Sequence, residues 1–378
     1  MKNETRCVHP LGKPKDKPIS VTPAIHPSTA YHYIDNGQLI YPGFSSTPNQ
    51  ERLGKIIANL EGADFGIAFS SGMAAITSTI LSLVRAGDHI IWSKELYGGT
   101  QKFATDELSH RQVSCSFVNG SVEDLERARL PNTKLVFIES PSNPTLKIVD
   151  LMAVSTWAQK NKLITIIDNT FATPINQRPL SLGFDIVLHS GTKFLGGHND
   201  LMFGGLATKW PDYYELIRKY IKLHGGSLDA HSCYLAERSI KTLSLRVRQQ
   251  NESALNIAHF LQDHHMISKV YYPGLPTHEN HQIARNQMSG YGGLLSFQIE
   301  ASPTRLKTFL SHLRIISPAL SLGGVESLIC IPAHTSHAGM SASNLMDLNI
   351  TDTLLRLSVG IEDAEDLIED LSSALLSM

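Results

Sequence analysis

The chain has 378 residues, 42% hydrophobic and 18% charged, with a formal net charge of -2. That length supports a large core and two domains, and the charge balance gives no pull toward nucleic acid or an anionic membrane surface. Its four cysteines, at positions 7, 115, 233 and 330, form no CxxC pair; reduced thiols in a cytoplasmic protein are expected rather than a disulfide framework or a structural zinc.

The leading segment "MKNETRCVHPLGKPKDKP" has no apolar stretch of the kind a secretory signal carries. Residues 1–60 are rich in Pro, Gly, Ser and Thr with little periodicity, so they read as an extended arm. Their aromatics, Tyr31, Tyr33, Tyr41 and Phe44, favour an arm that contacts a neighbouring subunit over a disordered leader.

Regular patterning follows. "RLGKIIANLEG" predicts a helix ending near Gly62, and "FGIAF" a short strand. "SSGMAAITSTILSLVRAG" predicts a helix whose apolar part is too short to cross a bilayer. The runs "DHIIWS", "VSCSFV", "KLVFIES", "KLITIIDNT", "FDIVLHS" and "GGLATKW" predict further strands, with "LMAVSTWAQKNK" as an intervening helix. Strands alternating with helices predict an α/β domain over 61–245 built on a mostly parallel sheet. Residues 235–264 read as one long helical stretch. Beyond it, the strands "YGGLLSFQIE" and "LLRLSVGI" and the helices "PTRLKTFLSHL" and "DAEDLIEDLSSALLSM" predict a smaller α+β domain over 246–378.

Polar elements follow three of the predicted strands, where an open α/β sheet places its ligands. Ser70-Ser71-Gly72-Met73 opens a helix, and is either a phosphate cradle or an ordinary serine cap. Asp168 ends "KLITIID" and can be a local cap, a metal ligand or a charge partner. Lys193 follows Ser190, Gly191 and Thr192, and is either a solvated charge or an amine that forms a Schiff base. Together the three suit one cofactor, pyridoxal 5'-phosphate, which needs a lysine for its aldehyde, an acid for its pyridine nitrogen and an anion cradle. Tyr97, in "LYGGT", is placed to lie on the ring. No GxxxxGK[ST], GxGxxG or GxSxG pattern supports a rival chemistry. His278 and His281 in "HENH" read as an exposed loop rather than a metal site.

The ordered segments "SSGMAAI", "LYGGT", "ESPSNPTLKIVD", "IIDNTFATP", "HSGTKFLGGHND", "YYPGLPTHENHQIA", "SLGGVESLI" and "LLRLSVGIEDAEDLIEDL" resemble the Cys/Met-metabolism family of pyridoxal-phosphate enzymes over almost the whole chain. The family includes the cystathionine lyases, cystathionine gamma-synthase, methionine gamma-lyase and homoserine-ester sulfhydrylases. The resemblance implies an aspartate-aminotransferase-like (fold type I) architecture and a homotetramer assembled as a dimer of dimers. It implies that Lys193 carries the cofactor and moves protons, and that Asp168 pairs with the pyridine nitrogen. Tyr97 would stack on the ring and assist catalysis. Gly72, Met73, Ser190 and Thr192 would hold the phosphate, with Tyr41 reaching from the arm. Asn143 would lie beside the ring hydroxyl and the substrate, and Arg356 would clamp the substrate carboxylate with Ser321 nearby. The implied activity is carbon–sulfur cleavage of cystathionine or related amino acids; gamma-replacement on a homoserine ester is the alternative, and a noncatalytic relative a lesser one.

Two departures stand out. Gly43 lies where the family's arm carries an arginine two residues after the tyrosine, and the nearest arginine is Arg52 on the following helix. Cys330 stands where lyases of gamma-specificity often carry an acid, and Gly99 stands where a cysteine would resemble methionine gamma-lyase. The first departure predicts weaker cofactor retention; the second argues against a dedicated methionine gamma-lyase.

Overall fold

A computed structural model describes residues 1–11, 20–34, 37, 39–340 and 342–378. Strands β1 (Phe65–Phe69), β2 (His89–Ser93), β3 (Ser114–Val118), β4 (Thr133–Glu139), β5 (Ile164–Asp168), β6 (Ile186–Ser190) and β7 (Gly204–Thr208) form one sheet in the order β1-β7-β6-β5-β4-β2-β3. The pairs from β3 through β6 are parallel, and β7 runs antiparallel to both of its neighbours. Strands β2 and β5 are buried at every residue. That two-sided burial explains why they read as unbroken apolar runs rather than as alternation. Val136, Ile138, Ile167 and Val187 pack in one cluster, and Leu135, Phe137, Ile166 and Leu188 in another. The strand period of two sends successive side chains to opposite faces. Each fully buried Ile or Leu contributes roughly 1.5–3 kcal/mol.

Because β4, β5 and β6 are parallel neighbours, their last residues, Glu139, Asp168 and Ser190, emerge at one edge of the sheet. This edge is where the functional side chains gather.

The stretch expected as one helix over 235–264 is two, Ala230–Ile240 and Leu243–Asp263. Thr242 lies at the break and its hydroxyl donates to the Ser239 carbonyl at 3.1 Å, a side-chain bond that competes with the helix ladder. The expected domain boundary at 245/246 falls inside the Leu243–Asp263 helix. Its first turns supply Leu243 and Val247 to the core under the large sheet. Its later turns supply Ala254, Ile257 and Leu261 to a second core. That second core lies against a sheet of β8 (Ile267–Tyr271), β9 (Leu294–Ile299), β10 (Ser317–Pro318), β11 (Leu328–Cys330) and β12 (Leu354–Ser358), ordered β10-β11-β12-β9-β8. The Ala364–Leu376 helix adds Leu367 and Leu371 to the same core.

Among the described residues no helix is long and apolar enough to cross a membrane. All four cysteines are unpaired. The "HENH" segment departs from the expected exposed loop. His278 is buried, and its Nδ1 accepts the Asn280 N–H at 3.2 Å, while His281 opens the His281–Gln287 helix.

Burial pushes the His278 imidazole down to about 4, and burial with the nearby Arg356 charge pushes His337 down to about 4 as well. Both rings are neutral in the folded protein and bind protons near 6.5 once unfolded. Their stabilisation is therefore present above pH 6.5 and lost as the pH falls toward 4. The loss is at most on the order of 3 kcal/mol per ring. Thermal unfolding followed across that window is expected to show a falling Tm, with a shallower fall in His278→Asn and His337→Asn variants. Parallel curves for wild type and variants would refute it.

Candidate active site

The strand ends at β4, β5 and β6 form the floor of a cavity of about 660 Å3 whose rim includes Tyr97, Met202, Leu320 and Ser336. Between β1 and the Gly72–Leu83 helix, Ser71 caps the helix, accepting the Ala74 N–H at 3.0 Å. The cap leaves the first N–H groups of Gly72 and Met73 at a positive helix end that faces the cavity. Glycine is required at 72, since a Cβ there would lie 2.7 Å from the Cβ of Ser190. That close approach brings the helix end against β6, so Ser71, Gly72, Met73, Ser190 and Thr192 line one side of the cavity. The arrangement is an anion cradle, and the serine cap is part of it rather than an alternative to it.

Asp168 is buried, and its Oδ1 accepts from both the backbone N–H and the hydroxyl of Thr170. Burial raises its pKa, and the Thr170 hydrogen bonds work against that rise. A buried carboxylate with one oxygen engaged and its side chain on the cavity wall is a partner for a cationic ring nitrogen.

Lys193 is not a solvated charge. Its Nζ lies 3.1 Å from Ser321 Oγ on the cavity wall. Burial lowers its pKa, and the Arg356 charge lowers it further, so the neutral amine is more accessible than on a surface lysine. Arg356, on β12, is buried; it donates from Nη1 to Asn143 Oδ1 at 3.0 Å and from Nη2 to the Ser321 carbonyl at 3.2 Å. Among the described residues its Nε has no hydrogen-bond partner. A buried guanidinium held only by neutral acceptors, with a donor to spare, is built to receive a carboxylate. Ser321 touches both Lys193 and Arg356 and has a φ of +89°, a conformation a serine adopts only where its surroundings impose it.

Tyr97 is about half exposed at the rim. A Cβ on Gly99 would lie 2.6 Å from the Tyr97 ring, so the glycine makes room for the ring at this position. The Tyr97 N–H donates to Glu139 Oε2 at 2.9 Å. The structure thus gathers Gly72, Met73, Tyr97, Asn143, Asp168, Ser190, Thr192, Lys193, Ser321 and Arg356 around one cavity. Tyr41 is not among them; it is exposed and sits edge-on to Phe44 with ring centroids 5.3 Å apart. Arg52 is committed elsewhere, in a two-pronged ion pair with Glu237 at 2.7 and 2.8 Å. Glu139 and Thr170 are cavity residues that the sequence reading passed over. Glu139 ends its strand as Asp168 does, and that shared position is a usable signal.

The donor set fits pyridoxal phosphate on this structure's own terms. There is an amine of lowered pKa, a buried carboxylate, a cradle that a single Cβ would fill, and a guanidinium with an unpartnered Nε. Fold and site together define a fold type I pyridoxal-phosphate enzyme, with a large mixed-sheet unit and a smaller C-terminal one. A family model described as "Cys/Met metabolism PLP-dependent enzyme" matches residues 4–376, and the chain belongs to that family. It is 42% identical over 378 residues to a cystathionine gamma-lyase of Bacillus subtilis, covering 99% of each chain. It is 43% identical over 332 residues to a cystathionine beta-lyase of Lactococcus lactis, covering 88% of this chain and 87% of the relative. The crystal structure of a cystathionine gamma-lyase from Lactobacillus plantarum complexed with L-serine superimposes with a TM-score of 0.94 at 37% identity, covering 100% and 99% of the two chains.

Proposed function

We propose that this chain is a carbon–sulfur lyase acting on cystathionine-type thioether amino acids. The observation that carries the reading is the meeting of Lys193 and Arg356 on Ser321, which sets a carboxylate clamp beside a proton-moving amine. Relatives of both lyase kinds support the substrate class.

In this reading Ser71, Gly72, Met73, Ser190 and Thr192 hold the phosphate, Asp168 holds the proton at the pyridine nitrogen, and Lys193 binds the aldehyde. Bound there, the cofactor supplies an electron-withdrawing ring that makes the substrate Cα–H acidic. Arg356 grips the α-carboxylate, and Asn143 Oδ1 fixes the angle of the guanidinium. That grip orients the Cα–H toward Lys193. Once the substrate amine has taken its place on the aldehyde, the freed Nζ would accept the Cα proton and deliver a proton to the sulfur as the carbon–sulfur bond breaks. Tyr97 walls the ring from the rim side. Incubation with cystathionine and identification of the keto acid by mass tests the proposal. Pyruvate reports beta-elimination and 2-oxobutyrate gamma-elimination. Release of neither, with cystathionine formed instead from cysteine and an acylated homoserine, would overturn lyase in favour of gamma-replacement.

The assembly we propose is a homotetramer, a dimer of dimers in which the exposed part of the arm meets the neighbouring chain's site. The end of the expected 1–60 arm is not part of it, since the Pro48–Glu61 helix buries Leu53, Ile56, Ile57 and Leu60 in this chain's own large core. The large apolar side chains left exposed along the arm, Val21, Tyr33, Ile34, Leu39 and Tyr41, support it. A monomer in analytical ultracentrifugation would count decisively against it. With Gly43 in the arm and Arg52 bound to Glu237, Gly43→Arg is expected to add a charge-assisted contact to the phosphate. Such a contact is worth roughly 1.5–3 kcal/mol, so the cofactor should leave about ten-fold or more slowly during dialysis. Among the described residues a Cβ at Gly43 meets the Tyr41 ring, at 3.1 Å, so a small ring shift makes room. Equal loss rates for wild type and variant would refute the prediction.

A further inference from the structure

Glu139 has no place in the roles given above, yet it lines the same cavity and is buried. It is the register partner of Asp168 across β4 and β5, so the two carboxyls rise side by side from one face of the sheet. Its backbone N–H donates to Ser93 Oγ at 3.0 Å, which fixes the strand end, and its Oε2 accepts the Tyr97 N–H at 2.9 Å. Among the described residues no ion pair reaches it. The neighbouring acid, Glu95, has already taken Lys147 at 2.7 Å together with the hydroxyls of Ser142 and Thr145.

Two carboxyls so placed, away from water and with no cation for the second, do not both ionise. One must keep a proton. Asp168 has the Thr170 donors that favour an anion. Glu139 has a single backbone donor, which a neutral acid accepts equally well through its carbonyl oxygen. We propose that Glu139 is a positioning residue that works as a neutral acid: one oxygen fixes the Tyr97 backbone, and the other keeps its proton so that Asp168 remains the sole anion at the ring nitrogen. The proposal rests on the reading of Asp168 given under the proposed function. Burial first, then Asp168 and then Glu95, raise the Glu139 pKa well above the usual carboxylate value, against the opposing pull of the Tyr97 N–H. The charged and titratable groups around it are Asp168 on β5, which itself feels His189 of β6, and Glu95 with its ion-pair partner Lys147. Tyr97, Lys193 and Arg356 line the cavity with it.

The sign follows from the pair. Asp168, with the Thr170 donors, takes the one charge that two adjoining buried carboxyls support, so in this proposal Glu139 holds its proton until the pH climbs. On ionising it sets a second anion beside Asp168 and loosens its seat under Tyr97. Glu139→Gln is neutral, the same shape and still an acceptor for the Tyr97 N–H; Glu139→Leu is neutral without the acceptor. With cofactor-loaded enzyme at neutral pH, Gln is expected to keep cofactor affinity and kcat/KM within about three-fold of wild type, whereas Leu loses about ten-fold in kcat with a changed circular dichroism of the bound cofactor. At alkaline pH the wild type should lose cofactor affinity and dichroism while the Gln variant holds both.

A Gln variant that falls as far as Leu would mean that the anion is needed, and would overturn the proposal. So would a Leu variant indistinguishable from wild type. Should the Leu variant not fold, matching alkaline curves for wild type and Gln overturn it alone. Failure of the underlying cofactor reading looks different: wild type reduced with borohydride in the presence of pyridoxal phosphate would then carry no cofactor mass on Lys193.

Discussion

Lys193→Ala is expected to lose at least about 10²- to 10⁴-fold in turnover, the share that a positioned proton-transfer group supplies by itself. The lost covalent anchor adds to it. Nothing else in the cavity replaces the amine: Arg356 is a guanidinium that stays protonated, and the Tyr97 phenol lies at the rim. Borohydride reduction of wild type should fix the cofactor mass on the peptide containing Lys193, and the alanine variant should show no such mass. The variant should still bind the cofactor noncovalently through Asp168 and the cradle at Ser71, Gly72, Ser190 and Thr192. Stability should hold or rise, because a buried amine whose pKa is held down by burial and by Arg356 is a cost to the fold rather than a support. Turnover within ten-fold of wild type would remove Lys193 from the mechanism.

Lys193 and Asp168 were legible in the sequence for a physical reason. Lys193 lies three residues past β6, behind Ser190 and Thr192, and stands out only beside Asp168 and the cradle at residues 70–73. Asp168 ends a strand buried on two faces, whose apolar run makes its terminal polar residue conspicuous. The same logic finds Glu139 at the end of "KLVFIE". It was passed over because a lone glutamate before "SPSNP" gives no hint that it accepts the Tyr97 N–H or faces Asp168 across the register. The family resemblance, not periodicity, brought in Ser321. Its positive φ is invisible in "ALSLGG", since serine is not a residue that announces a left-handed turn. Gly99 shows the reverse case. Read as the absence of a cysteine, it proves to be the residue that makes room for the Tyr97 ring. Strands β10 and β11 are two and three residues long, too short for an alternation to register. Tyr41 depends on a neighbouring chain in the proposed assembly, and a contact between chains leaves no period in either one.

Arg356→Met is expected to separate function from stability. A buried guanidinium is costly unless paired, and this one has two neutral acceptors and an Nε with none. Its register partner on β11 is Cys330, which offers a sulfur and no carboxylate. Burial accordingly pulls the Arg356 pKa below its ordinary value. Methionine fills similar volume without the charge, so the Tm of the variant should equal or exceed that of wild type. Catalysis should move the other way. Removing one partner of a buried, hydrogen-bonded charge pair costs about 2–5 kcal/mol, and kcat/KM should fall accordingly. Most of the loss should enter through KM, since the clamp grips the α-carboxylate before and during proton removal alike. Arg356→Lys should recover little, because a point charge on a flexible stem cannot reproduce the fork that Asn143 Oδ1 and the Ser321 carbonyl hold in place. A methionine variant that unfolds at lower temperature while keeping its KM would show that the arginine serves the fold, and the carboxylate clamp would then have to be sought elsewhere in the cavity.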